Sequence, residues 1–136
     1  MSLTVEQRNI LINLQLEKAD EIMKQIPPLQ ELGFWDTVAG RLYYALFHAV
    51  TAMFIYDGHH AATHRGVVRN FGKYYVLENV FTEEEGRFYS QLQSMRELAD
   101  YNCKFQSTAE NVLPMIENTI NLIHKIKEYL KSKERE

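Results

Sequence analysis

The sequence predicts an all-α protein, an antiparallel up-and-down bundle of four to five helices in a single domain spanning residues 1–136. Three observations predict it. Apolar residues recur at spacings of three and four, and few runs alternate at two. Only six glycines and three prolines punctuate the chain. Helix-start signals precede the periodic segments at Thr4, Thr63, Thr82 and Ser107.

The first helix opens at Thr4-Val-Glu-Gln7, a capping box, and its expected inward face is Ile10, Leu11, Leu14, Ala19, Ile22, Met23 and Ile26. Pro27-Pro28 is expected to stop it, with residues 29–34 as a connector containing Gly33. A second helix is capped by Asp36 and runs to about Tyr56, closed by Asp57-Gly58. Val38, Leu42, Tyr43, Leu46, Phe47, Val50, Met53 and Phe54 make it apolar nearly all round, which suits a central helix or one shared with a partner.

Thr63 caps a third, more basic helix through about Leu77, carrying His64, Arg65, Arg69 and Lys73. Thr82-Glu-Glu-Glu85 is a second capping box, opening a fourth helix to about Asn102. Ser107-Thr-Ala-Glu110 opens the fifth, where Pro114 is tolerated near the start. Val112, Ile116, Ile120, Ile123, Ile126 and Leu130 keep a helical period, and the mixed-charge end is expected to fray. Short connections make neighbouring helices antiparallel.

A net charge of −3 excludes an overall basic field, although a local basic groove is compatible with it. Cys103 is the only cysteine, so no disulfide closes within the chain and a reducing compartment is expected. MSLTVEQRN carries no secretory pattern, and residues 42–56, interrupted by His48 and Thr51, fall short of the roughly 20 residues of a membrane span. The expectation is a cytoplasmic protein without a membrane association.

RLYYALFH places Arg41 and His48 seven residues apart. On a helix that is about 20° short of two turns, so both stand on one stripe roughly 10 Å apart, with Tyr44 nearby. They are either snorkelling side chains at a core margin or, with Tyr44, a site for a phosphate or nucleobase. Arg96 and Asp100 are helical neighbours at i,i+4, set among Met95, Leu98, Ala99 and Tyr101. Asp100 either serves Arg96 or reaches across to Arg41, since a buried arginine needs a partner. The two guanidinium groups are expected to face one cleft.

His59, His60 and His64 have a spacing that zinc sites use, but no glutamate follows in the zincin position, and no metal is assigned. G-x-S-x-G is absent and no glycine-rich phosphate loop follows a strand, so serine-hydrolase and P-loop or dinucleotide chemistries are set aside. No cofactor is expected.

The stretch Arg41-Leu-Tyr-Tyr-Ala-Leu-Phe-His48-Ala, then Gly58 followed by Thr63-His64-Arg-Gly66, then Arg96-Glu-Leu-Ala-Asp100-Tyr101, resembles the HEPN (higher eukaryotes and prokaryotes nucleotide-binding) domain family. Lys18-Ala19 and Phe71 fit the same pattern. The resemblance implies an all-α bundle that usually forms a homodimer. It also implies a genomic neighbour, a minimal nucleotidyltransferase, with the pair acting as a toxin–antitoxin system.

Many members are metal-independent ribonucleases in which an arginine steadies phosphate and a histidine four to six residues later assists proton transfer. Here the later helix has Arg96 followed by Tyr101 where that histidine is expected, and a phenol with a pKa of about 10 is a poor base near neutrality. The resemblance therefore assigns nucleotide or RNA binding to Arg41, Tyr44, His48, His64, Arg96 and Asp100. It makes Arg96, Tyr101 and His48 the catalytic candidates of an endoribonuclease. A purely structural dimerisation module is the third reading.

Overall fold

In a computed structural model of the chain, residues 2–134 are described. The helices are α1 (Val5–Lys24), α2 (Ile26–Glu31), α3 (Trp35–Asp57), α4 (His64–Phe71), α5 (Glu83–Tyr101) and α6 (Ala109–Glu134), and no strand occurs among the described residues. A π-helical turn, Gly72–Val76, continues α4. The all-α bundle is as the sequence predicts. Its five main segments are present, and a short sixth helix joins them.

Local chemistry sets the helix ends. Both predicted capping boxes form, at Thr4 with Gln7 and at Thr82 with Glu85, and Thr63 Oγ1 accepts from the Gly66 amide. Each satisfies amide donors that the first turn leaves free. Glu85 also accepts from Lys125 Nζ at 2.7 Å, which ties α5 to α6. Burial opposes its charge, but Lys125 and Thr82 outweigh burial and hold the carboxyl below its ordinary range.

Several boundaries differ from the sequence reading. Pro27 and Pro28 do follow the end of α1, but they sit in the first turn of α2, where proline needs no amide donor. The expected connector is thus half helical. Asp36 is not the cap of α3, whose N-cap is Phe34; its Oδ1 instead accepts from the Ser107 amide at 2.6 Å. Thr108, not Ser107, caps α6 by accepting from the Asn111 amide. The C-terminal segment does not fray within the described residues: it stays helical to Glu134, with Leu130 buried and Tyr129 bonded to Asp57.

α3 is the hub. Eleven of its residues are buried, Tyr43, Leu42 and Leu46 completely, and α1, α2, α4, α5 and α6 all touch it. Arg8 lies over Tyr56 and Gln15 bonds to His48, so α1 runs antiparallel to α3. Asp36 meets Ser107 and Asp57 meets Tyr129, so α6 runs parallel to it. α3 is long and apolar enough to cross a bilayer by length and composition, but most of it is covered by its own bundle.

The apolar face of α1 differs from expectation. Ala19, Ile22 and Ile26 are buried and Met23 partly so, but Ile10, Leu11 and Leu14 are exposed while Ile12 points inward. On α6, Ile120 is likewise exposed, and Thr119 and Leu122 fill the core beside Ile123 and Ile126.

Gly58 ends α3 in the left-handed region, at φ 77°, with its amide donating to Phe54 O. An added Cβ there would meet nothing within 4 Å. The cost of Gly58→Ala is then conformational alone, an expected loss of about 1 kcal/mol in chemical denaturation. A stabilised variant would contradict this.

Candidate functional site

α3 presents Arg41, Tyr43, Tyr44 and Phe47 towards the start of α4 and the last turns of α5. Three helices converge on these rings because α3 is covered on that side by α4 and α5. From α5, Arg96 inserts between them and is only 7% exposed. Its Nη1 donates to Tyr44 Oη at 3.1 Å and to Asp100 Oδ2 at 3.4 Å. Its Cζ lies 5.1 Å from the Tyr43 ring and 5.7 Å from the Tyr44 ring, within cation–π range.

Arg41 approaches the same Tyr44 ring from its own helix, Cζ at 5.5 Å, while its Nη1 reaches Gln25 Oε1 at 3.4 Å. Two guanidinium groups thus share one phenol. From α4, His64 Nδ1 lies 2.8 Å from Tyr43 Oη, and its ring is 5.8 Å from Tyr44 and 4.7 Å from Phe47.

The charge balance of this cluster is positive: Arg41 and Arg96 against Asp100, whose side chain is half exposed. A guanidinium has five N–H donors. The side-chain hydrogen bonds of Arg96 to Tyr44 and Asp100 both leave from Nη1, and its buried Nε has no partner among the described residues. A buried donor left unpaired is costly, so such a group marks a place where a further acceptor is favourable.

The titration states follow from burial. Burial and then the Arg96 charge lower His64 below its ordinary value, so it is neutral at pH 7. Burial raises the Tyr43 phenol far above the usual range, although Arg96 pulls the other way. Tyr43 therefore keeps its proton. When it donates that proton to Nδ1, His64 carries its own on Nε2. Burial opposes the charge of Arg96 too, but Tyr44, Tyr43 and Asp100 outweigh it and keep the guanidinium ionised.

His48 does not join this cluster. It faces α1, with Nδ1 2.7 Å from Gln15 Oε1, and burial followed by Lys18 and Arg41 lowers its pKa. Tyr101 is also apart, 80% exposed beside Arg65, Ser94 and Glu97. Five residues after Arg96 on a helix is 500°, about 140° round the axis, so the two side chains point away from each other. Of the sequence candidates, Arg41, Tyr44, His64, Arg96 and Asp100 come together, and His48 and Tyr101 do not. Tyr43 and Phe47 were missed as site residues because both read as core.

The three candidate metal histidines are held separately. His59 stacks on Tyr74 at 3.7 Å and His64 bonds Tyr43, while the His60 carbonyl accepts from Asn70.

Both depressed histidines have a consequence for stability. Their folded pKa lies below the unfolded value of about 6.5, so the unfolded chain takes up protons first. Their contribution is full above that value and falls as the pH drops from about 7 towards 5. Denaturation midpoints should therefore decline across that window, and His64→Gln should flatten the decline. An unchanged pH profile in that variant would contradict the buried neutral imidazole.

Comparison with known proteins decides the family, since the family model described as "HEPN domain" matches residues 12–129. The chain belongs to the HEPN domain family. Two Methanocaldococcus jannaschii proteins, each named "putative toxin", are 25% and 29% identical to it. These matches cover 87% and 88% of this chain, and 80% and 89% of theirs. A Thermotoga maritima "UPF0332 protein" is 32% identical, over 70% of this chain and 74% of its own. The HEPN match runs from Ile12 to Tyr129 and so takes in every residue of the cluster.

Proposed function

We propose that this HEPN protein is the toxin-type member of a toxin–antitoxin pair and binds the phosphate of a nucleotide or RNA at Arg41, Tyr44, His64 and Arg96. The observation that carries the reading is a buried arginine with spare donors beside a second arginine, both on the Tyr44 ring. Planar guanidinium forks suit phosphate, and the tyrosine faces suit a base. The toxin part is supported by the names of the two archaeal relatives. A minimal nucleotidyltransferase as partner and a homodimer as the working form belong to the same proposal. Exposed Ile10 and Leu14 offer apolar surface for a second copy.

A ribonuclease reading needs a proton-transfer group beside the arginine. His64 supports it better than Tyr101 or His48, being neutral and packed on the same two tyrosines as Arg96.

The test is incubation of the purified protein with tRNA, with and without EDTA, beside nucleotide-binding titrations. Binding lost in Arg96→Ala, with no cleavage, supports the first reading. Cleavage that persists in EDTA and disappears in Arg96→Ala and His64→Ala selects the ribonuclease. Neither binding nor cleavage refutes both.

A further inference from the structure

We infer that the groove between α4, its π-helical turn and α5 is a docking site for an acidic amphipathic helix of a partner protein. This goes beyond the phosphate site, because none of Arg41, Tyr44 or Arg96 lines the groove.

The floor is apolar. Val68, Val76 and Leu77 line a groove of about 680 Å³, and Leu77 is 76% exposed. Apolar surface left in water is unfavourable relative to the same surface buried, so a covered Leu77 is favourable. Gly72 and Gly86 also line the groove. A Cβ at Gly86 would lie 3.0 Å from Val76 Cγ2, so the missing side chain lets the π-helical turn sit close against α5. A π-helical turn at a groove wall is itself a feature found often at functional positions.

The rim is basic. Arg69 and Lys73 stand on the α4 side and Arg87 on the α5 side, with Arg65 at one end and Glu83 as the one carboxylate of the lining. Arg65 is committed to Glu97 by two bonds of 2.8 and 2.9 Å, and Arg87 lies 3.8 Å from Glu83. Among the described residues, Arg69 and Lys73 have no carboxylate within ion-pair distance. Lys73 Nζ lies over the Tyr74 ring, 5.3 Å from its centroid. Cations that outnumber carboxylates around an aliphatic floor call for an acidic partner with an apolar stripe.

Shape selects a helix. Beyond Arg65 a second groove of about 490 Å³ continues along α5, where Leu98 and Tyr101 are exposed. Together they form a trough beside a helix of 19 residues, about 28 Å long. An amphipathic helix lays leucine-type anchors at i, i+3, i+4 and i+7 into such a trough. A single RNA strand fits less well, because the 680 Å³ groove has no aromatic lining and Tyr101 alone, in the second groove, offers a ring for bases to stack on.

The test uses the full chain, labelled with ¹⁵N, and a synthetic 18-residue peptide with leucines at helical spacing and glutamates on its other face. Its partner probes are the same peptide with lysines for glutamates, and decauridylate. The acidic peptide is expected to shift the amides of Val68, Gly72, Val76 and Leu77 and to bind at least tenfold tighter than the basic one. Leu77→Asp, at an exposed position that folding does not need, and the pair Arg69→Glu with Lys73→Glu, should each weaken it tenfold. Three results overturn the inference: equal or absent binding of both peptides, displacement of the peptide by decauridylate, or shifts that map elsewhere. So would a Leu77→Asp protein that changes its sedimentation with no peptide present, since the occupant would then be a second copy.

Discussion

Arg96→Ala is expected to weaken nucleotide or RNA binding by roughly 10- to 150-fold, the equivalent of about 1.5–3 kcal/mol for hydrogen bonds to a charged group. The expected effect is large because the proposed site fixes the guanidinium before any ligand arrives. Tyr43 and Tyr44 flank the guanidinium, Nη1 is anchored to Tyr44, and the remaining donors are unspent. Little ordering is left to be done on binding. The variant should still fold, with a stability loss of about 1–3 kcal/mol for a truncated, largely buried side chain. Arg96→Lys restores the charge but not the fork, so it should recover only part of the affinity. Arg41→Ala should have a smaller, more salt-sensitive effect, since Arg41 is less buried and its bond to the exposed Gln25 is 3.4 Å long. Isothermal titration at two salt concentrations separates these outcomes. Equal affinity in Arg96→Ala would remove the site.

Asp57→Ala is expected to be the most destabilising single change outside the apolar core, at about 2–5 kcal/mol. Asp57 Oδ2 accepts from Tyr75 Oη at 2.6 Å and from Tyr129 Oη at 2.8 Å. One carboxylate oxygen therefore ties the end of α3 to the π-helical turn and to the last turns of α6. Tyr75 is 2% exposed, and burial with the neighbouring Asp57 raises its phenol far above the usual range, so it is always a donor. Removing the acceptor strands that buried hydroxyl and takes away a tie on the last turns of α6. Tyr129→Phe deletes one bond without stranding a donor and should cost less, about 1 kcal/mol. Urea denaturation monitored by circular dichroism measures both. A loss below about 0.5 kcal/mol for Asp57→Ala would mean the three groups do not act together.

Helix positions were legible because their signals are local. Thr4 with Gln7, Thr82 with Glu85, and Gly58 after Asp57 each act within four residues. The inward face of α1 was not legible. Ile10, Leu11, Ile12, Leu14 and Leu16 surround that helix with apolar side chains, so no single stripe stands out. Ile12 turns inward because of how α1 packs on α3, a relation between distant segments. Asp36 and Ser107 both look like caps, yet they partner each other across 71 residues.

The site was legible in part for the same reason. Arg96 and Tyr44 are 52 residues apart, so their bond has no sequence signature. The expectation that Arg41 and Arg96 face one cleft rests on the cost of burying charge; in the structure both guanidinium groups lie near the Tyr44 ring. The distance of Tyr101 from Arg96 was available from helical angle alone. Asp57 also carried a hint. An acid in the last turn of a helix opposes the macrodipole, which suggests another partner for it.

The most direct measurement is a titration of ¹⁵N-labelled protein with tetrauridylate, following the Arg96 side-chain Nε–H signal with the Tyr44 and His64 amides. A phosphate-binding cluster predicts that all three move along one saturating curve and that added salt reverses it. Signals that stay fixed while the oligonucleotide binds elsewhere, or fails to bind, would contradict it.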